Sequence, residues 1–171
     1  MSDILIYFEG FNIGNVYYPK EVAFCNLQSL ESGYFFVDLS QDVWLTLPKQ
    51  VQQIFHWKTV NYHKLGWNSY PSGYVKLDFI EHWLGYLSQF HNIFAVNKEQ
   101  ATFLSEISQT TVKDISETHK LPEEEKQSVV WTCGYIAHRK KPLVCALHKV
   151  LSICQYLERE RTGFNEQGGQ N

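Results

Sequence analysis

The sequence predicts an α/β domain on a mixed sheet, with three antiparallel strands first, parallel strands after them, and flanking helices. Three observations predict it. Residues 3–38 hold three apolar, aromatic and β-branched runs separated by turn formers. From Leu77 onward, helical and strand-like patterns alternate. The 171 residues are 44% hydrophobic and 15% aromatic, enough to bury one sizeable core. Residues 1–161 are therefore read as a single domain. The stretch 162–171 lacks apolar periodicity and is rich in Gly, Gln and Asn, so it is expected to be a disordered tail.

Taken in order, Asp3 to Glu9 reads as a buried strand stopped by Gly10 and by the Asn12, Gly14 and Asn15 cluster. Val16 to Leu27 returns as a second strand, Ser32-Gly33 is a turn, and Tyr34 to Asp38 is a third strand. Pro48 to Ile54 suits a short helix. The stretch from Asn61 to Tyr74 is expected to be a loop, because Gly66, Asn68, Pro71 and Gly73 punctuate it. Its neighbourhood is crowded with His56, Trp57, His63, Trp67 and Tyr70, and aromatics in such a stretch most often pack into a small core of their own. Leu77 to Gln89 has helical apolar spacing, His91 to Val96 is a buried strand, Lys98 to Ile107 a helix, and Thr111 to Ile115 a strand. Pro142 suits a first helical position, and Leu143, Leu147, Val150, Leu151, Cys154 and Leu157 form the apolar stripe of a last helix. This order is compatible with an RNase H-like fold and with other mixed folds.

The net charge of −3 excludes a global basic field, so nucleic-acid binding would have to use a local patch. The early apolar run Ile4-Leu-Ile-Tyr-Phe8 is too short for a membrane span and follows Asp3, unlike a signal peptide. The chain is expected to be soluble and intracellular, in cytoplasm or nucleus. Its four cysteines then read as metal ligands or buried thiols in a reducing compartment rather than as disulfides.

Three of the chemistry-bearing residues fall together. Cys133, His138 and Cys145 lie in Trp131-Thr-Cys-Gly-Tyr-Ile-Ala-His-Arg-Lys-Lys-Pro-Leu-Val-Cys145, a short loop before the last helix. Two thiols and an imidazole make three quarters of a structural zinc (Zn2+) site and suit zinc better than calcium or magnesium. The bland reading is two buried small hydrophobes and a loop histidine. No fourth ligand is local.

The segments Tyr17-Tyr-Pro-Lys-Glu-Val-Ala23 and Cys133, His138, Cys145-Ala-Leu147 together resemble the Maelstrom domain, a descendant of the DEDDh exonucleases within the RNase H-like fold. That family carries a Glu-Cys-His-Cys zinc site. The resemblance implies that Glu21 is the fourth ligand, that His138 is the imidazole with His148 as the alternative, and that the site is structural. It also implies association with transposon silencing through small RNAs and with protein partners of such a pathway, and a metal-independent cleavage of single-stranded RNA. The exonuclease residues themselves are largely replaced. A DEDDh enzyme holds two magnesium ions on four carboxylates. By this resemblance Glu9 is retained, whereas Tyr7, Gln100 and Lys149 stand where three Asp residues are expected and Val144 where the His is expected. One carboxylate in four cannot hold a two-metal centre.

Arg139-Lys140-Lys141 places three cations beside the zinc loop, and Lys149 extends them along the last helix. Such a run is usually solvated surface; its functional reading is phosphate contact, with Trp131 and Tyr135 able to stack on unpaired bases. Glu123-Glu-Glu125 reads as solvated, and Glu117 with His119 lacks a third catalytic group. The sequence thus supports a catalytically degenerate, zinc-stabilised domain that binds single-stranded RNA or a protein partner. Its rivals are a single-stranded RNA endonuclease that does not use the DEDDh site, and a protein-protein interaction module.

Overall fold

In the computed structural model the described residues are 2–13, 16–68, 74–121, 133, 135–140 and 142–163. They form a mixed sheet of six strands: β1 (Asp3–Ile13), β2 (Val16–Asn26), β3 (Ser32–Asp38), β4 (Tyr74–Lys76), β5 (Asn92–Ala95) and β6 (Val112–Asp114). The spatial order is β4-β3-β2-β1-β5-β6. Strands β1, β2 and β3 pair antiparallel, while β5 lies parallel to β1, β6 to β5 and β4 to β3. The α/β class and the antiparallel-then-parallel order are those expected from the sequence.

Strand alternation divides the core into two layers. Ile4, Ile6 and Phe8 of β1, Val22 of β2 and Ile93 and Ala95 of β5 face one side. There they meet Phe55 of α2 (Lys49–Asn61), Ile80 and Leu84 of α3 (Leu77–Gly85), and Ala101 and Leu104 of α4 (Lys98–Ser108). Leu5, Tyr7, Ala23, Cys25, Phe36 and Phe94 face the other side, which α6 (Ala146–Thr162) covers with Leu147, Val150, Ile153 and Cys154. Helix α4 starts where Asn97 accepts the Gln100 N–H at 2.9 Å, a side-chain cap of an otherwise orphan donor. No helix among the described residues is long and apolar enough to cross a membrane.

Several elements differ from the expectation for identifiable reasons. Strand β1 does not stop at Gly10 but runs to Ile13, because a bulge carries the ladder past it: Glu9 pairs with Glu21 and Gly10 with Pro19, so Lys20 is the extra residue. A Cβ at Gly10 would lie 2.2 Å from the Tyr18 carbonyl oxygen and 2.9 Å from the Lys20 amide, so only glycine permits this approach. Lys20 points inward, on the side of the sheet that Val22 also faces. It is fully buried, its Nζ donates to the Trp67 carbonyl at 2.8 Å, and burial pushes its pKa down to about 8 against the pull of Asp38.

Helix α1 (Gln41–Thr46) was not expected. Ser40 accepts from the Asp42 N–H and starts it. Helix α2 continues beyond Ile54 to Asn61, and the edge strand β4, which was not expected, begins at Tyr74, the last residue of the expected loop. Trp67 stacks on Phe55 (5.8 Å between centroids) and packs beside Phe11 and Trp44, with His63 edge-on to Phe11. Of the crowded rings only Trp67 and His63 join this layer, since His56 and Trp57 are exposed and Tyr70 lies outside the described residues. Pro142 opens a 3₁₀ turn through Val144 rather than the last helix, which begins at Ala146 with Cys145 at its N-cap. That helix runs to Thr162, one residue into the expected tail, and ends at Gly163 in the left-handed conformation (φ 66°). The remainder of the tail lies outside the described residues, as do Trp131, Lys141 and Glu123 to Glu125.

Gly10→Ala is expected to cost about 2–3 kcal/mol, from overpacking against backbone that cannot retreat without breaking the bulge. Urea unfolding would measure it; an unchanged midpoint would show that the bulge does not depend on glycine.

Candidate metal centre

Glu21 sits on β2, on the face that α6 covers, directly opposite Glu9 of β1. Both carboxylates therefore point toward the first turns of α6. Helix N-termini favour negative charge through their unpaired N–H groups and the helix dipole, by about 0.3–2 kcal/mol. Glu21 uses this directly, since the Ala146 N–H donates to its Oε2 at 3.0 Å.

Cys133 and His138 reach the same point from the segment before α6. The structure places His138 on a short helix, α5 (Ile136–Lys140), where a loop was expected. The helical turn projects His138 inward while Arg139 and Lys140 stay exposed. The result is one buried group: Glu21, Cys133, His138 and Cys145 each offer a donor atom, all within 4.8 Å of one another, and all four residues have no solvent exposure. Cys133 Sγ lies 3.1 Å from His138 Nδ1, Cys145 Sγ 3.5 Å from Glu21 Oε1, and His138 Nδ1 3.6 Å from Glu21 Oε2.

The imidazole is held by its other nitrogen. His138 Nε2 is 2.8 Å from the His63 carbonyl oxygen, and donation of that N–H leaves the Nδ1 lone pair directed at the cluster. His63 is itself fixed, because its Nδ1 accepts the Leu65 N–H at 3.1 Å. Burial pulls the His63 pKa down to about 4, so it adds no cation beside the group. Tyr135 packs edge-on against His138 (5.1 Å between centroids) and its hydroxyl donates to the Lys64 carbonyl. That packing employs the ring that the sequence offered for base stacking.

The protonation pattern shows what the group lacks in itself. Burial, then the neighbouring Cys145, push the Glu21 carboxyl up to about 8. The hydrogen bond with Cys145, with burial, holds the Cys133 thiol well above the ordinary thiol range. The Cys145 thiol is pulled down by its hydrogen bond with Cys133, helped by His138 and by the backbone N–H groups of Cys133 and His148. Burial lowers the His138 pKa, but its hydrogen bond with Cys145 and the Glu21 charge outweigh that and raise it. Three acidic donors and an imidazole thus share protons in a buried space. A divalent cation would satisfy all four donors at once and release those protons. The donor set fits a metal ion on these grounds.

His148, the alternative imidazole, is buried within α6, two residues past Ala146, and is not among the four converging donors. Cys25 and Cys154, the other two cysteines, are buried free thiols between β2 and α6. Of the cations named from the sequence, Arg139 and Lys140 are exposed at the end of α5, and Lys141 lies outside the described residues. Lys149 is not an extension of that run. Its Nζ donates to Glu9 Oε1 at 2.8 Å and to the Tyr7 hydroxyl at 2.7 Å, and Tyr7 in turn donates to Glu9. Gln100 is turned to the opposite face of the sheet, where its amide accepts from the Phe8 N–H and donates to the Phe8 carbonyl. Two features escaped sequence reasoning, the His63 carbonyl and the Ala146 N–H. Both are backbone groups, which leave no signal in residue type.

Compared with known proteins, no family model matches the chain, and no curated protein matches it.

The two histidines are expected to separate cleanly in metal content. His138→Ala should lose the bound metal, whereas His148→Gln, though less stable, should keep it. Elemental mass spectrometry of the two purified variants reads this out, and the reverse pattern would reassign the imidazole ligand to His148.

Proposed function

We propose that this chain is a zinc-stapled, catalytically degenerate RNase H-like domain of the Maelstrom type, whose work is the recognition of single-stranded RNA rather than its turnover. The observation that carries the reading is the closed Glu21-Cys133-His138-Cys145 group. Two sulfur donors, one imidazole and one carboxylate are a set that zinc takes in preference to calcium or magnesium. Four protein donors leave no coordination position for water or substrate, which is the arrangement of a structural site. The four residues would hold zinc; the bound ion would supply cross-linking of β2, α5 and the start of α6, and no reaction chemistry.

The neighbouring Tyr7, Glu9 and Lys149 support the loss of exonuclease activity. In the exonuclease lineage, carboxylates on the first strand and near the last helix draw in magnesium. Here the ammonium of Lys149 already neutralises Glu9 from a distance of 2.8 Å. It also lies 4.8 Å from the centre of the Tyr7 ring, a second favourable position for a cation. A magnesium ion would have to displace a covalently tethered cation while gaining one carboxylate. The exposed Arg139 and Lys140 support RNA contact, because the donors around the metal group fix the helix that carries them.

Purified protein is expected to carry about one zinc per chain, and a strong chelator should lower its melting temperature by about 10 °C or more, since metal binding is folding free energy in such sites. Cys145→Ser should abolish both the zinc and the chelator effect; a metal-free wild type of the same stability would overturn the reading. Affinity for a labelled single-stranded RNA should fall steeply with salt, and Arg139→Ala with Lys140→Ala should flatten the log-log slope by about 0.7 for each phosphate no longer neutralised. Salt-independent binding, or shortening of the RNA under magnesium, would count against recognition through phosphates by an inactive domain.

A further inference from the structure

Helix α2 carries an unusual surface that neither the metal group nor the basic end of α5 uses. Trp57 is 55% exposed and Tyr62 60% exposed, and their rings form a tilted pair with centroids 5.5 Å apart. Ile54 and Val60 on the same helix are also exposed. Between α1 and α2 runs a groove of about 610 Å³ lined by Trp44, Lys49, Gln53, His56, Trp57 and Val60. Large apolar side chains scattered singly need no explanation, but a wall of rings beside a groove does.

The lining of the groove carries one sign of charge: among the described residues it holds Lys49 and no carboxylate, although the chain as a whole carries −3 and Asp42 of α1 lies two residues from the lining residue Trp44. A protein partner would most simply be met by apolar contacts with charges of both signs around them. A groove lined by π faces, amide groups and a lysine, with no carboxylate in the lining, suits a polyanion with exposed planar bases. Duplex RNA presents a shallow groove and 2′-hydroxyls rather than ring faces, whereas a single strand presents both phosphates and unstacked bases.

We propose that the exposed face of α2 from Lys49 to Tyr62 is a stacking platform for single-stranded RNA, with Trp57 and Tyr62 taking bases and Lys49 a phosphate. This rests on the RNA-binding reading above and names the surface that would carry most of the affinity. The metal group adds to it through its outer hydrogen bonds. His138 bonds the His63 carbonyl and Tyr135 the Lys64 carbonyl, so the turn directly after Tyr62 is tied to the short helix bearing Arg139 and Lys140. A strand bound on α2 would then find its next cations at a fixed position.

The test is fluorescence anisotropy of a labelled oligouridine of about twelve nucleotides against the full chain, within the range of site sizes of single-strand binders. Trp57→Ala with Tyr62→Ala should weaken binding about tenfold or more while leaving the salt slope unchanged, because stacking releases no counterions. Trp57→Phe should restore most of the loss at that position, and Lys49→Gln should lower the slope instead. Since these side chains are exposed, an unchanged melting temperature in the variants keeps the comparison on binding. Wild-type affinity in the Trp57/Tyr62 double variant, with the salt slope still reduced by substituting Arg139 and Lys140, would overturn the platform and spare the RNA-binding reading. No binding by the wild type would overturn both. Conversion of a wild-type dimer into a monomer by the double variant, seen in light scattering, would make the surface a self-association face and overturn the platform too.

Discussion

Two carboxylates stand opposite one another on adjacent strands, Glu9 on β1 and Glu21 on β2, under the start of one helix. A buried carboxylate without a partner is costly, and both of these find theirs on α6 or just before it. Glu9 is met by Lys149, about one turn into α6. Glu21 is met by the Ala146 N–H at the very start of the same helix and by the donors of Cys133, His138 and Cys145. The helix is thus keyed to the sheet at two positions along its axis, and its apolar stripe of Leu147, Val150, Ile153 and Cys154 is laid over Leu5, Tyr7, Ala23 and Cys25 as a consequence.

The support reaches to the far side of the sheet through the bulge. Lys20, the extra residue of β2, points inward one position before Glu21 and grips the Trp67 carbonyl. That fixes the segment from His63 to Trp67, whose His63 carbonyl orients His138 and whose Trp67 ring stacks into the aromatic layer under α2. A single backbone irregularity, permitted by the missing Cβ of Gly10, therefore adjoins the sheet, the aromatic layer and the candidate metal site together. Rigid backing of this kind is what a metal group needs if its ligands are to keep their directions.

The same face shows two ways of satisfying an anion inside a protein. At Glu21 three further donors gather, of which two are themselves acidic, and only a cation from outside the chain can satisfy them all. At Glu9 the cation is supplied by the chain itself, on Lys149, and the hydroxyl of Tyr7 completes the network. The first arrangement invites a metal and the second excludes one. In the reading proposed above this contrast separates a retained structural centre from a lost catalytic one, and leaves recognition to the surfaces of α2 and α5.

The sequence by itself determined the class of the fold and the chemical type of the centre. Alternating apolar runs in residues 3–38 and helical spacing after Leu77 are periodic signals, set by the geometry of strand and helix, and they survive without knowledge of any contact. Cys133, His138 and Cys145 were legible as candidates because their spacing fits a metal site as readily as plain burial, and the resemblance weighed the choice and supplied Glu21, which has no pattern of its own. Tertiary structure decided the rest. The continuation of β1 through Gly10, the edge strand β4 and the start of α6 at Ala146 instead of Pro142 depend on which backbone groups find partners across the sheet. The role of Lys149 was decided in the same way, since a lysine reads as a surface cation until its distance to Glu9 is known. His63, which orients His138, acts through a carbonyl oxygen that every residue type possesses, so only the folded chain distinguishes it.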